Sequence, residues 1–579
     1  MQYILGVTGL SDTFHDNSIA ILKDGELLFA ASQERYSRIK HDRSFPSLAI
    51  TSALTYLGIP FEKIETIAIG YPRRKMFSVI ANRYFYHSIP FLVHIVLRRN
   101  VSLIKDAYML LKEERKQNSE SAKKISRIDN EKVAYVDHHL AHAASAYYTS
   151  GYDKCVAIAL DAFGPQVSGK LRSGAIYIGE NGKLKEIMSV PIWASLGLFY
   201  QSVTLALGFT PGDGEGKTMG LAAYGDAKKT YTLLRPYAPR FENGRWRKGK
   251  NWLAGFFSTQ KQYAPIFQDT NFGIFLQKLL REEKKEDIAA AAQQLLEEEL
   301  ANLVSHLGKQ YPDITHFALA GGVFLNVKAN KKIAELSGVK SVFVHPNAGD
   351  GGVALGAAFI ASKKIKPKAL ISAALGESFT KKQIGETLKL FSKEIFYEEK
   401  KDVVDYTADL LIKGSVIGWF QGRAEWGPRA LGFRSVLADP KNVEIKNRIN
   451  GVLKNREWFM PFAPSILEEK AGEYFKNCER SPFMTMIFDV AEGKEKKIPA
   501  AIHIDNTARP NTVNPDNNIL YYKLIQSFYE KTGVPVILNT SFNRHGLPIV
   551  NTPKEAIEHL LWGAVDELII DTYSVKRKS

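Results

Sequence analysis

Cysteine is nearly absent: the 579 residues contain two, Cys155 and Cys478, far apart in the chain. No disulfide framework follows from such a pair, and a reducing cytoplasm is the expected compartment. Long apolar runs are missing too. The longest, "IPFLVHIVL" at residues 89–97, is far short of the roughly 20 residues that cross a bilayer, so no membrane span is expected. The start, "MQYILGVTGLSD", lacks a basic n-region and reads as a core strand rather than a signal peptide. An apparent phosphate-loop ending, "GEGKT", lacks the full GxxxxGK[ST] spacing because Gly212 stands five before Lys217, which excludes a Walker A motif. Acidic residues are outnumbered: 77 Lys+Arg against 61 Asp+Glu give a net charge of +16. Such a balance suits nucleic acid, an anionic surface or phosphorylated small molecules. The stretch near residue 100 mixes acids with its bases and reads as a solvated helix, and residues 75–125 carry no motif.

Histidine is scarce at 13, yet three stand within "DHHLAHAASAYY", residues 137–148. A helix places His138 and His142 on one face. The stretch lacks the Glu of HExxH, which disfavours a zinc protease. A metal site and a packed helix with locally bonded histidines both remain open on this stretch alone.

At this length two or more domains are expected. Residues 3–32 read as strand, polar loop, strand, Asp24-Gly25 turn and strand. Residues 155–190 repeat the order around an Asn181-Gly182 turn. The repeat predicts a duplicated α/β unit, each half opening with a β-meander, the plan of actin-like ATPases. Residues 284–308 predict an amphipathic helix. The strand "HFALAGG" then enters a Gly321–Gly322 turn ahead of Asn326 and a helix, which suits nucleotide or phosphate contact through free backbone N–H groups. "NAGDGG" repeats the arrangement with Asp350 on its turn. After a linker near residues 363–378, Arg423, Arg429, Arg434, Lys454, Arg456 and Arg509 punctuate Gly/Pro-rich text among Trp and Phe. Guanidinium groups grip phosphate and carboxylate bidentately, so this region reads as an anion pocket.

"HDNSIAILKDGELLFAASQERYSRIKHDRSFP", "HHLAHAASAYY", "GEGKTMGLAAYG", "EWGPRALGFRSVLADP" and "NTSFN", in this order over nearly the full chain, resemble the NodU/CmcH family of O-carbamoyltransferases. The resemblance implies an α/β protein with an actin-like ATPase domain, duplicated and ribonuclease H-like, over residues 1–365. It also implies a YrdC-like α/β domain over 377–572. The second domain would make carbamoyl-adenylate from carbamoyl phosphate and ATP, with Mg. The first would transfer the carbamoyl group to a hydroxyl of a sugar or natural product.

The family's metal ligands match His138, His142, Asp161 and Asp350, a set that favours Fe(II), with Mn or Zn compatible. His15 matches an active-site histidine and is the candidate base, with Asp16, Asp213 and Glu215 as accessories. Gly321, Gly322 and Asn326 fall to the nucleotide. Arg429, Arg434, Lys454, Arg456, Arg509 and Asn543 match positions that hold carbamoyl phosphate and the ATP phosphates. Met460 departs from the pattern, standing where many members carry arginine. His139 keeps a supporting or packing role. A tRNA threonylcarbamoyladenosine-type enzyme and a non-catalytic nucleotide-binding regulator are the rival readings. The expected partner is a small-molecule hydroxyl acceptor rather than nucleic acid, and a homodimer is compatible. Separate sites on either side of residue 370 imply that residues 370–579 alone would form carbamoyl-adenylate.

Overall fold

A computed structural model describes residues 2–9, 16–71, 132–252, 255, 267–362, 365–451 and 457–578. His15, Lys454, Arg456 and the basic segment near 75–125 lie outside the described residues. The chain is a mixed α/β protein that divides into two compact units.

The first unit comprises residues 1–28, 41–325 and 333–369. Its first sheet is built from β1 (Tyr3–Val7), β2 (Ser18–Lys23), β3 (Glu26–Ser32, of which residues 29–32 are grouped with the second unit), β4 (Ile64–Ile69) and β5 (Val133–Tyr135), in the order β3-β2-β1-β4-β5. The next strands are β6 (Lys154–Pro165), β7 (Leu171–Glu180) and β8 (Lys183–Pro191). A short hairpin follows, β9 (Arg240–Glu242) with β10 (Arg245–Arg247), and then β11 (His316–Ala320) and β12 (Ser341–Val344). The second sheet runs β12-β11-β6-β7-β8. In each sheet the opening strand pairs antiparallel with the meander and parallel with the strand on its other side. The two meanders seen in the sequence thus grow into two sheets of the same topology. Their Asp24 and Asn181 turns take the positive φ of tight hairpins, 50° and 53°.

Two helices rich in small residues, His138–Ser150 and Val353–Ala361, pack against each other and against the sheets. Their approach depends on Gly356: a Cβ there would meet the carbonyl oxygen of Ala141 at 1.7 Å. The helix predicted over 284–308 spans Lys285–Gln310 and buries a stripe that includes Leu296, Leu300, Leu303 and Leu307.

The second unit comprises residues 29–40, 326–332 and 370–579. Its strands are β13 (Ile395–Glu399), β14 (Ile417–Phe420), β15 (Arg434–Ala438), β16 (Ala463–Leu467), β17 (Phe488–Asp489), β18 (Thr507–Ala508), β19 (Asn511–Val513), β20 (Val536–Ser541), β21 (Glu567–Ile570) and β22 (Tyr573–Arg577). Eight of them form one mixed sheet, β13-β22-β21-β14-β15-β20-β16-β19. Successive residues of a strand face opposite ways. Trp419, Leu437, Ile537 and Ile569 therefore join one core, while Phe420, Val436, Leu538 and Ile570 join another. The helices Val403–Ile412 and Pro515–Thr532 bury into the first core, and Lys381–Leu390 and Pro553–Leu561 into the second.

The expected boundary near 370 is where the main segment of this unit begins. Two stretches of earlier sequence belong to it as well. Within it Lys328 pairs with Asp505 at 2.7 Å, and Asn330 donates to the carbonyl of Thr485 at 2.8 Å.

Candidate functional site

The helix His138–Ser150 lies between β5 of the first sheet and β6 of the second and brings His138 and His142 one turn apart, both fully buried. Asp161 stands near the end of β6 and Asp350 opens a short turn before the helix Val353–Ala361. One ligand atom from each of the four lies within 4.8 Å of the others. His138 Nε2 is 3.4 Å from Asp161 Oδ2 and 3.5 Å from Asp350 Oδ1; His142 Nε2 is 3.3 and 3.5 Å from the same oxygens. The ring orientation is fixed from behind: His138 Nδ1 sits 3.3 Å from the carbonyl of Gly70, which takes its proton and leaves Nε2 as the ligand atom. Asp350 is tied to β1, since Thr8 Oγ1 donates to its carbonyl at 3.1 Å. A Cβ at Gly164 would fall 2.1 Å from the His138 ring, and one at Gly322 would fall 2.9 Å from Asp161 Oδ1, so both positions leave room for the cluster.

Burial alone pulls an imidazole pKa down. At His142 the bonds and charges of Asp161 and Asp350 outweigh it and raise the pKa to about 9. The converse holds at Asp161: burial raises its pKa, but the two histidines carry it well below the carboxylate range. Two imidazoles and two carboxylates converging on one point suit a divalent transition metal. His139, also fully buried, has neither ring nitrogen hydrogen-bonded among the described residues, and burial followed by the charge of His138 holds it neutral.

Gly321, at φ 102°, turns the chain after β11 and donates to the carbonyl of Ala348 at 2.7 Å. Asn326 follows; its Oδ1 accepts the N–H of Ala329 at 3.0 Å, so it caps the next helix. Sequence reasoning missed His41. Its Nδ1 lies 2.7 Å from Asp16 Oδ1 and its Nε2 3.2 Å from Asp213 Oδ1. Asp16 and His41 both hold positive φ, 66° and 55°, a strained geometry for non-glycine residues. Burial lowers the His41 pKa, but the charge and bond of Asp16, with Asp213 on the other nitrogen, raise it to about 10. Glu215 Oε1 accepts the Gly212 N–H at 2.8 Å and shapes the same loop.

In the second unit the arginines divide by role. Arg434 is fully buried and faces backbone: its Nη1 donates to the carbonyls of Gln421 at 2.7 Å and Phe433 at 3.0 Å, and its Nη2 to Gly422 at 3.1 Å. Its guanidinium also lies 3.6 Å from the centre of the Phe420 ring. Arg434 therefore organises the loop 421–433 from inside, where the sequence pointed to phosphate contact.

Buried Glu425 fixes that loop at a second point, accepting the N–H groups of Leu431 at 3.0 Å and Arg434 at 3.2 Å. The carbonyl of Gly432 takes N–H groups from Trp419 at 3.0 Å and Asn518 at 3.1 Å. Held on this loop, Arg429 is partly buried and its side chain has no hydrogen-bond or ion-pair partner among the described residues. Burial alone pushes its guanidinium down to about 10.

Asn543 staples its own turn, donating to the carbonyl of Leu547 at 2.7 Å. Arg509 stands partly buried just after β18, and Met460 turns back on the carbonyl of Glu457 at 3.1 Å. Arg35 and Arg38, from the stretch 29–40, were not singled out in the sequence. Arg35 Nη2 donates to the carbonyl of Gly427 at 3.0 Å, on the Arg429 loop, while its buried Nη1 has no hydrogen-bond partner among the described residues. Arg38 holds the loop after β20 through the carbonyls of Pro548 and Ile549, both at 2.9 Å. Their signal lies in position: basic residues at "ERYSR" far from the arginine-rich half.

Residues 5–359 match the family model "Carbamoyltransferase N-terminus" and residues 408–577 match "Carbamoyltransferase C-terminus". The nodulation protein NolNO of Sinorhizobium fredii is 32% identical over 586 residues, covering 98% of this chain and 80% of its own. An uncharacterized protein of Methanocaldococcus jannaschii, MJ1051, is 33% identical over 578 residues and covers 99% of both. Among solved structures, full-length HypF in its phosphate- and nucleotide-bound form aligns with 62% of this chain and 55% of its own, at 14% identity and a TM-score of 0.33. With both family segments present in sequence order in one polypeptide, the chain belongs to the carbamoyltransferase family of enzymes.

Proposed function

We propose that this carbamoyltransferase is ATP-dependent: it forms carbamoyl-adenylate from carbamoyl phosphate and ATP and passes the carbamoyl group to a hydroxyl of a sugar or natural product. The observation that carries the reading is the convergence of His138, His142, Asp161 and Asp350. The duplicated topology of the first unit supports an actin-like nucleotide-binding domain. The mixed sheet with the uncompensated Arg429 supports a YrdC-like adenylate-forming domain.

The four residues fit a divalent transition metal, Fe(II) favoured by their chemistry. When bound, it would offset phosphate charge as AMP leaves. The protein's own groups do the rest. The Gly321–Gly322 turn offers close backbone approach for the nucleotide. Arg429, whose loop Arg35 braces through the carbonyl of Gly427, meets the anionic oxygens, and no carboxylate among the described residues neutralises it. By the family resemblance, Arg509, Lys454 and Arg456 also serve the phosphates. His15 takes the proton of the acceptor hydroxyl, with Asp16 next to it in the chain.

The test is incubation with ATP, Mg, carbamoyl phosphate and small-molecule pools, followed by mass spectrometry. A mass gain of one carbamoyl group on a hydroxyl compound is expected. Threonylcarbamoyl adducts on tRNA instead would contradict the reading.

A further inference from the structure

A second polar cluster of the first unit shares no residue with the metal centre. His41 stands between two carboxylates from different segments: Nδ1 is 2.7 Å from Asp16 Oδ1 and Nε2 is 3.2 Å from Asp213 Oδ1. Burial works against charging the ring, but the two carboxylates prevail, so both nitrogens carry protons and donate.

The fold gives this clasp a firm bed. Asn17 Nδ2 donates to the carbonyls of Arg43 at 2.7 Å and Ser44 at 2.8 Å, and the Asn17 N–H reaches that of Asp42 at 3.3 Å. The segment with His41 is thereby laid against the segment with Asp16. Next to it, the Ser18 N–H donates to Thr8 Oγ1 at 3.2 Å, and that hydroxyl donates onward to the carbonyl of Asp350 at 3.1 Å. A Cβ at Gly6 would meet the carbonyl oxygen of Ala354 at 1.9 Å, so β1 lies directly on the helix that follows Asp350. Asp16 and His41 are therefore carried by the same packed piece that carries a metal ligand. Asp213 comes from a separate glycine-rich loop, and the ring ties it to this piece.

Two features set the cluster apart from ordinary surface pairing. Asp16 and His41 both hold left-handed backbone, at φ 66° and 55°. Partly exposed ion pairs stabilise a fold modestly, so stability alone is a weak reason for two strained residues. The cluster is also reachable: the His41 and Asp16 side chains are each 30% exposed and that of Asp213 is 42% exposed, so a bound molecule can meet the carboxylates.

We infer that His41 is a positioning residue for carbamoyl transfer, spacing the Asp16 and Asp213 carboxylates so that they orient the acceptor hydroxyl as it attacks. In that step the acceptor oxygen bonds the carbamoyl carbon, the bond from this carbon to the adenylate phosphate oxygen breaks, and AMP leaves with the electron pair. The hydroxyl proton passes to the base, while His41 keeps both of its protons. Without the ring's charge, two like charges face each other across the gap and the two segments lose their bridge. Lost alignment slows a reaction even when no reacting group is removed. The inference rests on the ATP-dependent transfer reading given above and adds to it a residue that does not touch the reacting atoms.

The test uses the full-length protein with ATP, Mg, radiolabelled carbamoyl phosphate and the small-molecule pool. Two rates are read: the first-turnover burst of pyrophosphate, and the label entering hydroxyl compounds. His41→Gln is neutral and its amide can donate to one carboxylate only. Its transfer rate should fall about ten- to a hundredfold, the range of a lost charge-assisted contact, with the burst and the metal content within about twofold of wild type. The loss should not add to that of Asp16→Asn: the double variant should lie within about threefold of Asp16→Asn alone. A role confined to stability would move burst, metal content and transfer together. Should His41→Gln fail to fold, Asp213→Asn removes the other end of the clasp, and the same selective loss is expected. Wild-type transfer in the folded variant, an equal loss of burst, metal and transfer, or additive losses with Asp16→Asn would overturn the assignment. A wild-type burst with no labelled hydroxyl compound removes the transfer reading and this proposal with it. Labelled product without a burst removes the adenylate chemistry alone, and the selective loss of transfer in His41→Gln then still supports the positioning role.

Discussion

Two arginines five positions apart, one on the loop 421–433 and one at the start of β15, are expected to fail in different ways when truncated. Arg434 donates to several buried carbonyls, and Arg434→Ala orphans them together. A loss of about 3–5 kcal/mol in stability is expected, read as a lower thermal midpoint. Arg429 has no partner among the described residues, so Arg429→Ala should leave the midpoint unchanged. It should slow carbamoyl-phosphate-dependent pyrophosphate release about 10- to 100-fold, the worth of one charge-assisted contact of about 1.5–3 kcal/mol. Their difference was not legible in the sequence, because a guanidinium in Gly/Pro-rich text looks the same whether it faces a carbonyl or a phosphate.

The metal ligands were legible for the opposite reason. Helical spacing puts two histidines on one face whatever surrounds them, and the two turn aspartates follow from the family motifs. His142→Ala should drop metal content from one equivalent to background in elemental analysis. Because Asp161 and Asp350 hold His142 at a pKa of about 9, metal uptake at pH 8 should release a proton, measurable in weakly buffered titration.

Elements that close locally were readable; elements that close through distant partners were not. The two meanders show period-2 alternation and turn dipeptides within single short stretches, so their duplication was visible before any pairing was known. His41 is invisible to such reasoning: its partners stand 25 and 172 positions away. It joins the first loop of the chain to the "GDGEGK" loop, and this junction is pH-dependent with a definite sign. The folded pKa, about 10, exceeds the ordinary 6.5. The added stability is therefore complete below about pH 6.5 and is lost as pH rises through about 10. His41→Gln should lower the thermal midpoint at pH 7, and the gap to wild type should close by pH 10.5. A gap that widens over that range would reverse the assigned charge.

Across the whole molecule, the linear boundary near residue 370 conceals an interleaved unit. The stretches 29–40 and 326–332 belong with 370–579, and they bring Arg35 to the Arg429 loop and Arg38 to the loop after β20. Residues 370–579 expressed alone therefore lack two of their own braces. The expectation that this segment works by itself is replaced by its opposite: it should melt below the full chain and release no pyrophosphate, while the intact protein does. The sequence hid this because packing between distant segments, not a shift in composition, defines the unit. The most direct test of the account is pyrophosphate release by the full-length protein given ATP and Mg, with and without carbamoyl phosphate. Release that depends on carbamoyl phosphate and falls at least tenfold in Arg429→Ala is predicted. Release independent of carbamoyl phosphate, or none under metal-replete conditions, would contradict the central claim.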